Sequence, residues 1–472
     1  MKLRIADFGL LISARAIRWT LFGALLVTVV GPARPRAQAP PTWLEQYREP
    51  ARRLIAEETK DAFAWRRLAA LTDTFGSRLT GTPQLDRAIA WAVAEMNRDG
   101  LENVHTEKVM VPRWVRGTES AEIVEPAQQP IVMVGLGNSV GTPAGGIQAE
   151  VVVLHSFEEL DAMAPQIRGR IVFFNVPFTA YGETVRFRTL GPSRASRLGA
   201  VAMLIRSVGP AGLRLPHTGA LTYASDVPAI PAAAITTEDA DRLQRMADRG
   251  NRIVVRLKME AHADPDVESA NVVGEIRGRE RPEEIVLVGG HLDSWDVGAG
   301  ASDDGGGCVV TWEALRLMKA LNLRPRRTVR VVLFTNEENG ARGALAYRDQ
   351  HRAELSNHVV MLESDGGVFR PLGFGFTGSD TARQTVKSIA TLMRDIGADS
   401  IAAAGGGADI DPSAQAGHVP AMSLEVDISK YFLIHHTQAD TVDKIDPQEM
   451  ARCAAAVAVM AYVIADLPFR LQ

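Results

Sequence analysis

From residue 271 onward, short apolar runs alternate with stretches of helical spacing, and this alternation limits the fold more than any other feature. Runs rich in Val, Ile, Leu and Phe occupy residues 285–288, 329–334 and 359–362, and a further expected strand lies at 421–426. Helical spacing fills residues 306–323, 343–354, 381–396 and 447–465. Parallel strands need long crossover connections, and helices in those connections bury both faces of the sheet. The pattern therefore predicts an α/β domain with a mostly parallel central sheet flanked by helices.

Upstream, residues 43–59 and 86–98 read as helices, the second with Ala88, Ile89, Val93 and Met96 on one face. Gly100 suits a helix C-cap, and residues 104–111 alternate as a strand does. Between residues 117 and 262 the texture changes. Apolar runs at 131–134, 151–154, 171–176 and 201–204 are separated by Gly, Pro and Ser turns, with one helical stretch at 238–247. That segment lacks any grouping of acids with histidine. It reads as a β-rich domain, residues 118–262, inserted into a discontinuous α/β domain made of residues 40–117 and 263–472.

The first residues read as an export signal rather than as fold. Lys2, Arg4, Arg15 and Arg18 precede an apolar run at 19–30, and Ala37-Gln38-Ala39 has the small residues a signal peptidase requires. The run falls short of the roughly 20 residues of a membrane span. Residues 1–39 are thus expected to be removed on export to the periplasm or the extracellular space, leaving no stable membrane span. The 52 basic and 56 acidic residues nearly cancel, which argues against a nucleic-acid partner. Cys308 and Cys453 are the only cysteines. Each lies in an apolar helical pattern and reads as a buried free thiol.

Five motifs carry acids and histidines, nearly all just after an expected strand, where ligands of open α/β sheets collect. They are His291-Leu292-Asp293, Asp303-Asp304 among the glycines of residues 300–307, Glu337-Glu338, Glu363-Ser364-Asp365, and His435-His436 with Asp440. Each alone fits a loop histidine, a polar turn or an N-capping aspartate. Together they would place carboxylates so close that they resist ionisation without cations. His291, Asp303, Glu338, Asp365 and His436 are candidate ligands. Two Zn²⁺ would balance three carboxylates and one bridging hydroxide, and mixed His/carboxylate ligation suits zinc better than calcium or magnesium. A metal-bridging hydroxide could attack a peptide carbonyl. Glu337, beside a ligand, is the candidate general base. Asp293 is the candidate that orients the His291 ring.

The segments Gly290-His291-Leu292-Asp293-Ser294-Trp295-Asp296-Val297-Gly298 and His436-Thr437-Gln438-Ala439-Asp440-Thr441 resemble the carboxypeptidase Q group, also called plasma glutamate carboxypeptidase, of the two-zinc aminopeptidase superfamily. Gly305-Gly306-Gly307 fits that group rather than the Ala-Ser-Gly of other members. The resemblance covers nearly the whole chain after the signal. It implies a zinc-exopeptidase-like fold, with His291 and Asp365 on one zinc, Glu338 and His436 on the other, and Asp303 bridging. It also implies Glu337 as base, a cis peptide between Asp303 and Asp304, dipeptides or short peptides as substrates, and a homodimer. Residues 168–173 and 195–205 resemble a protease-associated domain, and the loop 405–411, with Asp409, is expected to border a substrate terminus. Two other readings exist, a single-zinc glutaminyl cyclase and an inactive receptor-like binding protein. The complete set of five candidate ligands favours hydrolysis.

Overall fold

The computed structural model describes residues 41–471. The expected export segment lies outside the described residues. Two sheets of eight strands organise the chain. The first runs Glu102–Val115, His262–Ile276, Arg327–Phe334, Arg281–His291, His358–Glu363, Ala421–Val426, Pro371–Thr377 and Ser400–Ala402 in spatial order. Its four central strands, from Arg327–Phe334 to Ala421–Val426, are mutually parallel. Three of them are buried at every position from residue 285, 327 or 358 onward. Burial on both faces is why these runs are continuously apolar rather than alternating.

Helices Gly306–Ala320, Arg342–Gln350, Asp380–Ala390 and Pro447–Asp466 follow the expected order. The stretch expected at 381–396 gives way to a 3-10 turn at Thr391–Ile396. Pro447–Asp466 is apolar and long enough to cross a membrane, yet 83% of its apolar window is buried inside this protein. It packs against Gly306–Ala320 and Arg48–Thr59. A helix apolar all round belongs in a core when other elements enclose it. Cys308 and Cys453 are free and buried in this core.

Three elements differ from the sequence reading. A helix at Phe63–Phe75 precedes Pro83–Arg98. Strand Pro371–Thr377 is interrupted by Gly373 and Gly375, which weaken its β pattern. Strand His262–Ile276 pairs antiparallel with Glu102–Val115. Its first half is exposed and polar, so it reads as a linker until its partner is known.

The second sheet uses only strands between Glu119 and Met259. The helical stretch expected at 238–247 is helix Thr237–Asp248, and helix Tyr181–Arg197, which the texture did not suggest, also accompanies the sheet. Gly191 and Pro192 sit inside the former and hide its periodicity. The chain leaves and re-enters the first sheet at one place, where Val115 pairs with His262.

Candidate metal centre

Parallel strands bring their C-terminal ends to a common edge, and the motifs gather there. His291 is the last residue of Arg281–His291. Glu337 and Glu338 follow Arg327–Phe334, and Asp365 follows His358–Glu363. The loop before helix Gly306–Ala320 brings Asp303, whose peptide bond to Asp304 is cis. His435 and His436 come from the turn after Tyr431–Ile434.

All five candidate ligands meet. His291 Nε2 lies 3.2 Å from Asp303 Oδ1 and 3.4 Å from Asp365 Oδ1. His436 Nε2 lies 3.1 Å from Asp303 Oδ2 and 3.0 Å from Glu338 Oε2. Asp303 thus faces His291 with one oxygen and His436 with the other. His435 Nε2 also comes within 3.5 Å of Asp303 Oδ2, and its ring stacks on His436 at 3.6 Å. Glu337 Oε2 stands 3.9 Å from His291 Nε2, with 22% of its side chain exposed.

This donor set fits divalent cations. His291 Nε2, Asp303 Oδ2 and Asp365 Oδ1 are buried without a hydrogen-bond partner, although each lies close to other donors of the cluster. Lone pairs converging in this way are the arrangement a cation needs. Left to itself, the cluster attracts protons. Burial raises Glu337 well above its usual value, helped by Asp365 and Glu338. Burial, then Asp303, push Glu338 up to about 7. Burial works against a charge on His291 and on His436. The facing carboxylates outweigh it and raise both imidazoles. Burial would also raise Asp303, but the two histidines hold it well below the carboxylate range. Cations would replace those protons.

Asp293 does a different job from the one expected. The His291 Nδ1–H donates to the Asp293 backbone carbonyl at 3.0 Å, while the nearer carboxylate oxygen lies 3.8 Å away. The carboxylate instead accepts the backbone N–H groups of Glu337 and Glu338 at 3.1 and 3.3 Å, and the Thr80 hydroxyl at 3.0 Å. One side chain therefore fixes the turn that presents both glutamates. The ring is oriented by the carbonyl because two residues of tight turn bring that group closer than the carboxylate.

Other supporting residues carried no signal in the sequence, or a weak one. Asp304 accepts from the N–H groups of His291 and Gly307. Asp440 accepts from those of Ser302 and Asp303, and its place in the His436 motif was its only signal. Arg78 is fully buried and donates to the carbonyls of Gly76, Leu292, Ala299 and Gly300. Thr218 belongs to the second sheet's layer and meets His436. Asp409 lies buried behind Glu363, which accepts its N–H, and is absent from the lining of the cavity beside the cluster. That cavity measures about 370 Å³ and is walled by Glu337, Asp365, Tyr181, Arg188, Phe432 and His435 among others.

Residues 271–461 match Peptidase family M28. The chain is similar to carboxypeptidase Q of Mus musculus, at 48% identity over 86% of each chain. Carboxypeptidase Q of Homo sapiens is 48% identical over 86% of this chain and 85% of its own. The crystal structure of a peptidase M28 precursor from Shewanella amazonensis superposes with a TM-score of 0.88 at 36% identity, covering 91% of this chain and 98% of that one. An aminopeptidase from an Aneurinibacillus strain shares the fold, with a TM-score of 0.64 at 21% identity over 89% and 97%. Matching across nearly the whole folded region, with every motif residue at one sheet edge, the chain belongs to the carboxypeptidase Q group of peptidase family M28.

Proposed function

We propose that this protein is an exported exopeptidase with two zinc ions that hydrolyses dipeptides or short peptides. The observation that carries the two-ion reading is Asp303, whose two oxygens face His291 and His436 on opposite sides. On this reading His291 and Asp365 hold one ion, Glu338 and His436 the other, and Asp303 both. When bound, the ions would acidify a water and polarise the scissile carbonyl.

The chain's own groups divide the remaining work. Glu337 faces the cavity and is coordinated by nothing else, so its carboxylate takes the proton of the attacking water and hands it to the departing amine nitrogen. The peptide C–N bond breaks as a C–O bond forms, and the same proton ends on the new amino group. Asp293 keeps Glu337 and Glu338 in register through their backbone N–H groups. The Asp293 carbonyl at Nδ1 leaves the His291 Nε2 lone pair free for an ion. The Trp295 backbone N–H donates to Glu338 Oε1 at 3.2 Å.

Export rests on the basic-then-apolar start of the chain. The segment 118–262 is assigned as an inserted protease-associated-like domain, which shapes the cleft, and 40–117 with 263–472 as the peptidase domain. Identity of 48% to carboxypeptidase Q along most of the chain favours peptide hydrolysis over cyclisation. The test is zinc analysis joined to turnover. Protein reconstituted with zinc should hold two equivalents per chain and cleave short peptides. One equivalent at saturation would defeat the two-ion reading, and full occupancy without cleavage would defeat the peptidase reading.

A further inference from the structure

A second, smaller cavity opens off the one beside the cluster. It measures about 210 Å³ and shares Asp365, Gly366 and Ile428 with its larger neighbour. A whole ligand usually occupies roughly 300–1,000 Å³, so this space suits one side chain of a ligand held next door. Its polar wall is acidic. Glu363 ends strand His358–Glu363, Asp365 follows in the turn, and Glu425 comes from strand Ala421–Val426. Leu424, Val426 and Ile428 supply apolar surface, and no lysine, arginine or histidine among the described residues lines the space.

Glu363 is the member that points to a ligand. It is only 1% exposed. Its Oε2 accepts the backbone N–H groups of Asp409 and Ile410, both at 3.0 Å. Its Oε1 has no hydrogen-bond partner. A Cβ on Gly407 would lie 2.3 Å from Oε1 and 2.4 Å from Oε2. Gly407 also lines the small cavity, so the carboxylate meets that space across a position kept bare. The Ser423 hydroxyl satisfies only Oε1 of Glu425, at 2.7 Å. A buried acceptor left without a donor is costly until one arrives.

The spacing of the carboxylates selects the class of donor. Oxygens of Glu363, Asp365 and Glu425 do not gather within the 4.8 Å that would let all three share a metal ion. Separated carboxylates beside an apolar wall fit an alkyl stem ending in an ammonium or a guanidinium, which packs its carbons and donates from its head. We propose that this cavity binds the cationic side chain of a peptide substrate, so that the enzyme favours lysine or arginine beside the bond it cuts. The assignment rests on the exopeptidase reading above. Asp365 is shared with the metal centre, so Glu363 and Glu425 are the residues that set the preference. Either residue of a dipeptide can carry such a side chain, and a terminal amine carries the same charge. The test separates these sources.

Lysyl-alanine and alanyl-lysine are compared with norleucyl-alanine and alanyl-norleucine on the zinc-loaded enzyme. Norleucine keeps the carbon stem of lysine and lacks its charge. One lysine peptide should exceed its norleucine match by about 10–100-fold in kcat/KM, the range of hydrogen bonds to a charge. Which of the two does so identifies the residue that fills the cavity. In Glu425→Gln and in Glu363→Gln that ratio should collapse towards one. The amide oxygen of the latter still serves the N–H groups of Asp409 and Ile410. Equal losses on lysine and norleucine peptides, with the ratio intact, would assign the carboxylates to the terminal amine or to the fold, which overturns the proposal. So would a wild-type ratio near one, a result that needs no variant to fold. A third zinc equivalent that Glu425→Gln removes would make the cavity a metal site and overturn it too. If the loaded enzyme cleaves none of the four, the peptidase reading fails on its own. Calorimetric binding of each lysine peptide against its norleucine match, in wild type and Glu425→Gln, then decides the cavity separately.

Discussion

Thr218 grips His436 from both sides: its N–H donates to the His436 carbonyl at 3.0 Å, and its carbonyl faces His436 Nδ1 at 3.4 Å. The two residues come from different sheets' layers. His436 sits at φ +60°, a region that non-glycine residues seldom occupy. Outer hydrogen bonds of this kind typically govern metal affinity by about 10–100-fold. Thr218→Pro removes the donor, and zinc titration of the variant should show one equivalent weakened by that range while the other stays tight. Equal weakening of both, or of neither, would show that Thr218 does not serve His436.

Glu337 should separate chemistry from metal binding. Glu337→Gln is expected to retain zinc, because the turn is held through the backbone by Asp293. Turnover should fall by about 10²–10⁴-fold, the usual worth of a positioned proton carrier. Zinc content and kcat measured on one preparation check this.

Chelation should abolish turnover and also loosen the fold locally, because the carboxylates and imidazoles would then need protons to coexist. Re-addition of zinc should restore both activity and melting temperature. Ions bound only to the folded state stabilise it by mass action.

Trp295 offers a test from the other side of the centre. A Cβ on Gly137 would lie 1.8 Å from the Trp295 ring. Gly137→Ala should therefore destabilise by about 1–3 kcal/mol, the usual cost of overpacking. Because Trp295 donates to Glu338, kcat should fall as well. Denaturant melts and kinetics on Gly137→Ala measure the two effects.

A pH effect is expected far from the metal centre. Glu58 is buried with both carboxylate oxygens lacking a hydrogen bond, the Arg316 guanidinium standing 3.9 Å from one of them. Burial, then Glu313, push its pKa from 4.5 up to about 10. Folding therefore favours its protonated form. Its stabilising contribution is complete below about pH 4.5 and is lost as pH rises through about 10. Glu58→Gln keeps the neutral shape, so it should melt higher than wild type at pH 8–9, by about 1–2 kcal/mol, and match it near pH 4. Parallel thermal melts across that range decide the point.

The central strands and the ligand motifs were readable because both are local. A run such as residues 329–334 announces a buried strand, and acids directly after it announce a strand-end site. What escaped detection acts at a distance or through the backbone. Arg78 bonds only to carbonyls, Thr218 acts through its peptide group, and Arg188 lies more than a hundred residues before the first ligand. None of these leaves a pattern, because any sequence has many arginines and threonines. Strand His262–Ile276 escaped for a related reason, since its polar first half is stabilised by pairing rather than burial.

The pairing of Val115 with His262 closes a ribbon from which the entire second sheet hangs. A segment joined to the first sheet's backbone at one place can be exchanged without altering the ladder that carries His291. Yet this segment holds Arg188 and Thr218. Lineages that trade it, or turn it on its ribbon, would change the cavity wall and the hold on His436 while inheriting the strand ends that carry His291, Glu338 and Asp365.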